Sequence, residues 1–371
     1  MDHRPQLEKL AQDFSLPNLT TFFRAACGAY HPGEEDFSGY LQPDAPVIAL
    51  QKAGQIEYHN GSRLVVVAGG VVQELTSRSG KKQQYELAKK MLKELSYDAG
   101  IFIFHDLQGH FRFSLVVALY QGTQRQFSNF RRYTYFVTPD LGNRTFLEQI
   151  GKADFSSIET LVQAFSVEIV TKEFFQEYRR IFEQAEAALP AELNAEQKRL
   201  YTQKFFNRLM FLAFLERKGW LKFNGRADYL RALYEDYHQN DPDKRREANF
   251  HRKRLNTLFF SGLNNAYERG LLQTDPKYKI LRDQIGEVPY LNGGLFEEDA
   301  DDQRWFFPDG IVAQILSDLL YRFNFTVTES TPLDVEVAVD PEMLGKIFEE
   351  LVTGRHETGS YYTPKPVVAF M

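Results

Sequence analysis

The chain has 371 residues, a formal net charge of −6 and 43% hydrophobic residues, which is typical of a globular protein and excludes a disordered or collagen-like one. Cys27 is the only cysteine, so the sequence excludes an intrachain disulfide and a cysteine-rich zinc site. There is no apolar signal region, and the longest apolar run, residues 64–72, is far shorter than the roughly 20 residues that span a bilayer. We therefore expect a cytoplasmic protein with no membrane partner.

The first 150 residues alternate helices with short strands rich in β-branched and aromatic residues. Ala53-Gly54 and Asn60-Gly61 predict turns between successive strands, because Asn-Gly is a strong hairpin signal. A helix, three strands, a second helix and further strands predict a sheet flanked by helices. In chain order, the predicted elements are a helix over residues 19–29, strands at 47–50, 55–59 and 63–72, a helix over 83–95, and strands at 100–104, 111–120 and 133–137.

From about residue 157 the pattern is helical almost to the end of the sequence. We therefore predict an α/β plus all-α chain, with an α/β domain over residues 1–150 and a helical domain over 151–357. Glu216, Arg217 and Lys218 precede Gly219 and are interpreted as the solvated end of a helix. The predicted helices cover residues 157–187, 195–218, 226–235, 253–268 and 312–321.

Three segments have a more specific pattern than packing requires. They are residues 344–351 (LGKIFEEL) with 357–364 (ETGSYYTP), residues 207–221 (NRLMFLAFLERKGWL) and residues 289–297 (PYLNGGLFE). These segments resemble the N-terminal region of Type IIG restriction–modification DNA methyltransferases, and the first is also similar to the modification subunit of Type I systems. The resemblance implies methylation of adenine N6 at specific DNA sites in a restriction–modification or phage-defence system.

The resemblance assigns a role to the Tyr-Tyr-Thr-Pro turn at the start of a methyltransferase domain, here residues 358–371. It implies that Tyr361, Tyr362, Thr363 and Pro364 lie against the cofactor S-adenosylmethionine. The residue types are compatible with this role, because a threonine before proline is disfavoured in helical geometry and can cap the helix that follows. Free amides at a helix start also suit a carboxylate.

The sequence departs from the family at its most specific motifs. Family members continue into a Phe-x-Gly-x-Gly cofactor loop and an Asn/Asp-Pro-Pro-Tyr/Phe motif that holds the flipped adenine, and this sequence contains neither. We therefore expect the front part of a longer enzyme, which positions double-stranded DNA and completes the cofactor pocket. A downstream methyltransferase domain or a partner subunit would then carry out the methyl transfer.

The same family often carries a PD-(D/E)xK-type nuclease domain at its N-terminus, and the element order of residues 19–137 is compatible with that fold. Such a nuclease needs carboxylates on adjacent strands to hold Mg²⁺ and a lysine near the attacking water. The strand at residues 64–70 (LVVVAGG) has neither where Glu-x-Lys would lie. We predict a restriction-endonuclease-like domain that is catalytically inactive. The alternative is a Mg²⁺-dependent DNA endonuclease that uses Glu57 or Glu74.

Basic residues interleaved with aromatic ones are candidates for DNA contact, because they can bind phosphates and stack on bases. The negative net charge argues against non-specific coating of nucleic acid but leaves room for a local basic face. The same pattern also describes a half-buried strand with basic edges, and a non-catalytic DNA-binding or subunit-interaction module is a further alternative. The candidate DNA contacts are Arg125, Arg131, Arg132, Lys81 and Lys82.

Overall fold

A computed structural model describes residues 3–42, 46–76, 79–120, 127–139, 143–240, 249–264, 279–291, 294–326 and 334–339. The chain divides into two compact units, Met1–Thr171 together with Thr328–Met371, and Lys172–Val327. The first division follows residue 171.

The first unit is built on a mixed sheet of seven strands, in the chain order β1-β2-β3-β4-β5-β6-β7. The pairs β3–β4 and β6–β7 are parallel, and the other neighbours are antiparallel. The elements are α1 (Arg4–Gln12), α2 (Leu16–Ala26), β1 (Tyr30–Asp36), β2 (Val47–Glu57), β3 (Arg63–Val71), α3 (Lys81–Leu95), β4 (Ala99–His105), β5 (Phe111–Tyr120), β6 (Phe127–Val137), α4 (Arg144–Ile150), α5 (Ile158–Gln163) and β7 (Asp334–Glu336).

Helix α3 makes the crossover between the parallel strands β3 and β4, which a tight turn cannot join. Its residues Ala88, Met91 and Leu92 are buried in one apolar cluster with strand residues such as Val65 and Phe102. Strand β3 is buried along nearly all of its length, which explains its almost continuous apolar sequence.

The predicted turn at Asn60-Gly61 is confirmed, and the one at Gly54 is wrong. Gly61 has a φ of +82° in the hairpin between β2 and β3, where the Tyr58 amide donates to Ser62 O at 3.0 Å. Strand β2 instead runs through Gly54 without a turn, although its register shifts there. A Cβ at Gly54 would collide with the ring of Tyr30 on β1. The glycine is therefore required by close packing of the neighbouring strand, not by a chain reversal.

Two strands had no sequence prediction. Strand β1 contains a proline, a glycine and three acidic residues, and it is exposed at the edge of the sheet, where proline is tolerated. Strand β7 has three residues and extends the sheet beyond β6 from a point far along the chain. Neither is long and regular enough to show a two-residue apolar period.

The second unit is helical, and aromatic rings form several of the contacts between its helices. Helix α6 (Val167–Ala188) begins in the first unit and continues into the second, and α7 (Ala195–Arg217) and α8 (Tyr229–Asn240) follow it. The predicted helix over 157–187 is therefore two helices, α5 and α6. Tyr178 and Phe182 on α6 pack against Phe206 on α7, with ring centroids 5.1 and 5.2 Å apart. The shorter helical segments are Lys279–Ile285, Gly294–Phe296, Ala300–Arg304, Asp309–Gln314 and the π-helical His251–Leu255, Thr257–Leu263 and Ile315–Leu320. Across the part of the chain that the structure describes, no helix has the length and apolar character needed to cross a membrane.

Candidate nucleic-acid interface

Five of the predicted site residues lie outside the described residues. They are the four residues assigned to the cofactor by resemblance and one candidate DNA contact, namely Tyr361, Tyr362, Thr363, Pro364 and Arg125. The remaining candidates lie on β6 and at the start of α3, both in the first unit.

Arg131 and Arg132 do not form the shared patch that their adjacency suggested. They follow each other on β6, and successive side chains of a strand point to opposite faces of the sheet. The guanidinium of Arg132 lies over the ring of Tyr85 on α3, at 4.6 Å from its centroid. Arg131 instead donates to the hydroxyl of Tyr133 at 3.4 Å, and the Tyr133 ring packs near Phe165, which follows α5.

Arg132 holds the first turn of α3 in place and does not face solvent. Its side chain is 2% exposed, and Nη1 donates to the carbonyl oxygen of Lys81 at 2.7 Å. The ammonium of Lys81 lies 3.3 Å from the Glu336 carboxylate on β7, and both side chains are nearly buried. Charged groups this deep are bound to partners inside the protein and cannot reach a phosphate at the surface. The prediction of DNA contacts by Arg132 and Lys81 is therefore corrected to a structural role.

A third buried cation, Arg112 on β5, also holds this region in place, and it was not among the predicted site residues. It donates to Ser79 O at 3.0 Å, to Thr76 O at 2.8 Å and to the side-chain oxygen of Gln84. Arg112 and Arg132 thus anchor both the segment that leads into α3 and the start of the helix itself. An arginine alternating with apolar residues inside a predicted strand is the signal that could have indicated a buried, paired guanidinium.

The exposed cations of this region lie on the outer side of α3. Lys82, Lys90 and Lys93 are exposed, and Lys82 and Lys93 are separated by about 17 Å along the helix axis. Lys90 and Lys93 lie over aromatic rings at 5.7 Å, and Lys89 forms an ion pair with Glu86 at 2.7 Å. We call this surface the α3 lysine face: Lys82, Lys90 and Lys93. Among the predicted contacts that the structure describes, Lys82 lies on it.

The position expected for a nuclease metal has no carboxylate. Where β2 and β3 pair, Leu50, Gln51 and Lys52 lie opposite Gly69, Ala68 and Val67. Within the described ranges, no group of three or more His, Cys, Asp or Glu residues is arranged to hold a metal ion. The nearby buried Asp106 accepts hydrogen bonds from the amides of Leu75, Gln108 and His110, so it stabilises a turn.

Glu57 and Glu74 cannot bind the same metal ion. Glu57 pairs with Arg63 at the first residue of β3, and Glu74 follows the last residue of β3, Val71. The strand between them is about 26 Å long at the usual rise per residue. An endonuclease that relied on either carboxylate would need its other metal ligands elsewhere.

In the second unit, two of the segments that resemble methyltransferases are in contact through one side chain. Arg208 on α7 is 1% exposed and binds both carboxylate oxygens of Asp302, at 2.8 and 3.1 Å. It also donates to Leu295 O at 2.7 Å and to Glu297 O at 2.9 Å. The arginine of the 207–221 segment therefore holds the end of the 289–297 segment in position.

The interpretation of Glu216 as a solvated helix end is wrong. Its side chain is 8% exposed and accepts hydrogen bonds from the amide of Leu230 at 3.0 Å and the hydroxyl of Tyr321 at 2.8 Å. Burial raises the pKa of Glu216 to about 7. The signal was present in the sequence, because Glu216 continues the buried stripe of Leu209 and Leu212 at helical spacing.

No family model and no curated protein matches the chain. Among solved structures, it is similar to a protein of Methanococcus jannaschii described as a family II inorganic pyrophosphatase, with 15% sequence identity and a TM-score of 0.18. The match covers 43% of this chain and 45% of that one, so the chain spans less than half of the length of that protein. A TM-score this low does not indicate a shared fold, and neither fold nor function is inferred from it.

Proposed function

We propose that the chain is the DNA-binding N-terminal part of a site-specific DNA adenine-N6 methyltransferase of a restriction–modification or phage-defence system. In this proposal the first unit is a restriction-endonuclease-like scaffold that binds DNA without cutting it. The observation that carries the proposal is the order α2-β1-β2-β3-α3-β4, with β1 to β3 antiparallel and β4 parallel to β3. This is the order of elements of PD-(D/E)xK-type nucleases.

The described strands lack metal-binding carboxylates at the position expected for a nuclease site, which supports DNA binding over DNA cleavage. At Leu50–Lys52 of β2 and Val67–Gly69 of β3, which the structure describes, the paired strands have no carboxylate, and Lys52 lies 3.7 Å from Glu35 on β1. Two-metal or one-metal hydrolysis needs acidic ligands at that point. A nuclease-like scaffold that lacks these acidic ligands can still bind DNA. In this proposal the α3 lysine face is the surface that contacts the DNA.

The contact between the two resembling segments supports the methyltransferase assignment. Arg208 of the 207–221 segment donates to main-chain oxygens of the 289–297 segment. The two segments that carry the resemblance are therefore parts of the same local structure. S-adenosylmethionine would supply the methyl group, and by the resemblance Tyr361, Tyr362, Thr363 and Pro364 would line one edge of its site. Transfer itself would need a downstream methyltransferase domain or a partner subunit with the cofactor-loop and adenine-binding motifs.

DNA affinity measured against salt concentration tests the proposed interface. We expect the whole chain to bind duplex DNA, and the combined variant Lys82→Ala/Lys90→Ala/Lys93→Ala to bind less tightly between roughly 50 and 200 mM salt. The slope of log affinity against log salt should fall by up to about 3, because each phosphate contact contributes about 0.9 to it. A matched control is the combined variant of three exposed lysines elsewhere, Lys9→Ala/Lys172→Ala/Lys222→Ala. Equal losses in both variants, or no DNA binding by the unaltered chain, would exclude this interface.

Two further measurements separate the parts of the proposal. Incubation of supercoiled plasmid with Mg²⁺ should give no cleavage, and cleavage that disappears in Glu57→Ala or Glu74→Ala would support the endonuclease alternative.

Thr363→Ala should weaken binding of S-adenosylmethionine to the protein assembled with its methyltransferase domain or subunit. Unchanged cofactor binding would remove the assigned role of that turn while leaving the DNA result intact.

A further inference from the structure

We draw no further inference here: the strongest candidate, the exposed surface patch at the end of α7 where the Lys218 ammonium lies 4.7 Å from the centroid of the Trp220 ring, carries nothing, because nothing in the described part of the chain shows what covers it.

Discussion

Replacement of Arg208 by methionine should destabilise the second unit by about 3–5 kcal/mol. The change leaves the carboxylate of Asp302, which is 1% exposed, without its bidentate partner. It also leaves the carbonyl oxygens of Leu295 and Glu297 without a donor. Removing one partner of a buried ion pair costs about 3–5 kcal/mol. Lys204 lies 3.0 Å from the same carboxylate and compensates part of the lost ion pairing. We therefore expect a destabilisation in the lower half of this range.

Urea unfolding followed by tryptophan fluorescence measures this effect selectively. The chain has two tryptophans, Trp220 and Trp305, and both lie in the second unit. Trp305 is 8% exposed and lies three residues after Asp302, so its emission reports loss of structure around the ion pair. The unfolding free energy is obtained from the midpoint and slope of the transition by linear extrapolation.

Arg179→Ala is the matched control for this prediction. Arg179 also forms an ion pair, with Glu183 at 3.0 Å, but the two side chains are 62% and 61% exposed. Exposed pairs of this kind contribute about 0.3–0.5 kcal/mol, so the control should be close to the unaltered chain. A destabilisation by Arg208→Met of less than about 1 kcal/mol, or one no larger than that of the control, would refute a buried structural role for Arg208.

Two other perturbations probe features that were wrongly predicted from the sequence. The raised pKa of Glu216, about 7 against an ordinary 4.5, means that the folded second unit binds a proton more tightly than the unfolded chain. Its contribution to stability is therefore full below about pH 4.5 and is lost as the pH rises through 7, by up to about 3 kcal/mol. Glu216→Gln should remove that part of the pH dependence of urea unfolding, and an unchanged profile would show that burial does not shift the group. Gly54→Ala should destabilise the first unit by about 1–3 kcal/mol, because the new Cβ collides with the ring of Tyr30. Thermal unfolding followed by circular dichroism measures the effect, and Gly39→Ala is the control, because a Cβ at Gly39 meets no neighbouring atom. Equal unfolding midpoints for the two variants would contradict the predicted destabilisation.

The elements that could be predicted from the sequence are those whose local pattern agrees with their tertiary environment. Strand β5 was predicted over its full length, and α3 and β4 to within two residues at each end, because apolar side chains recur at the spacing that each element buries. The hairpin at Asn60-Gly61 was predictable for the same reason, since the chemistry of the turn decides the local structure. The uninterrupted course of β2 was not, because a glycine required by a neighbouring strand has the same sequence signature as one required by a turn.

The misassigned charges follow from a boundary error of six residues. The sequence pattern begins the last strand at Tyr133, whereas β6 begins at Phe127 and contains both Arg131 and Arg132. Once both residues are on one strand, alternation alone separates them onto opposite faces. The face of Arg132 is covered by α3, and a buried guanidinium must be bound to the protein, as this one is to Lys81 O. Positive charge that attracts DNA has to remain in solvent, so the residues to vary first are the lysines of α3 and not the arginines of β6.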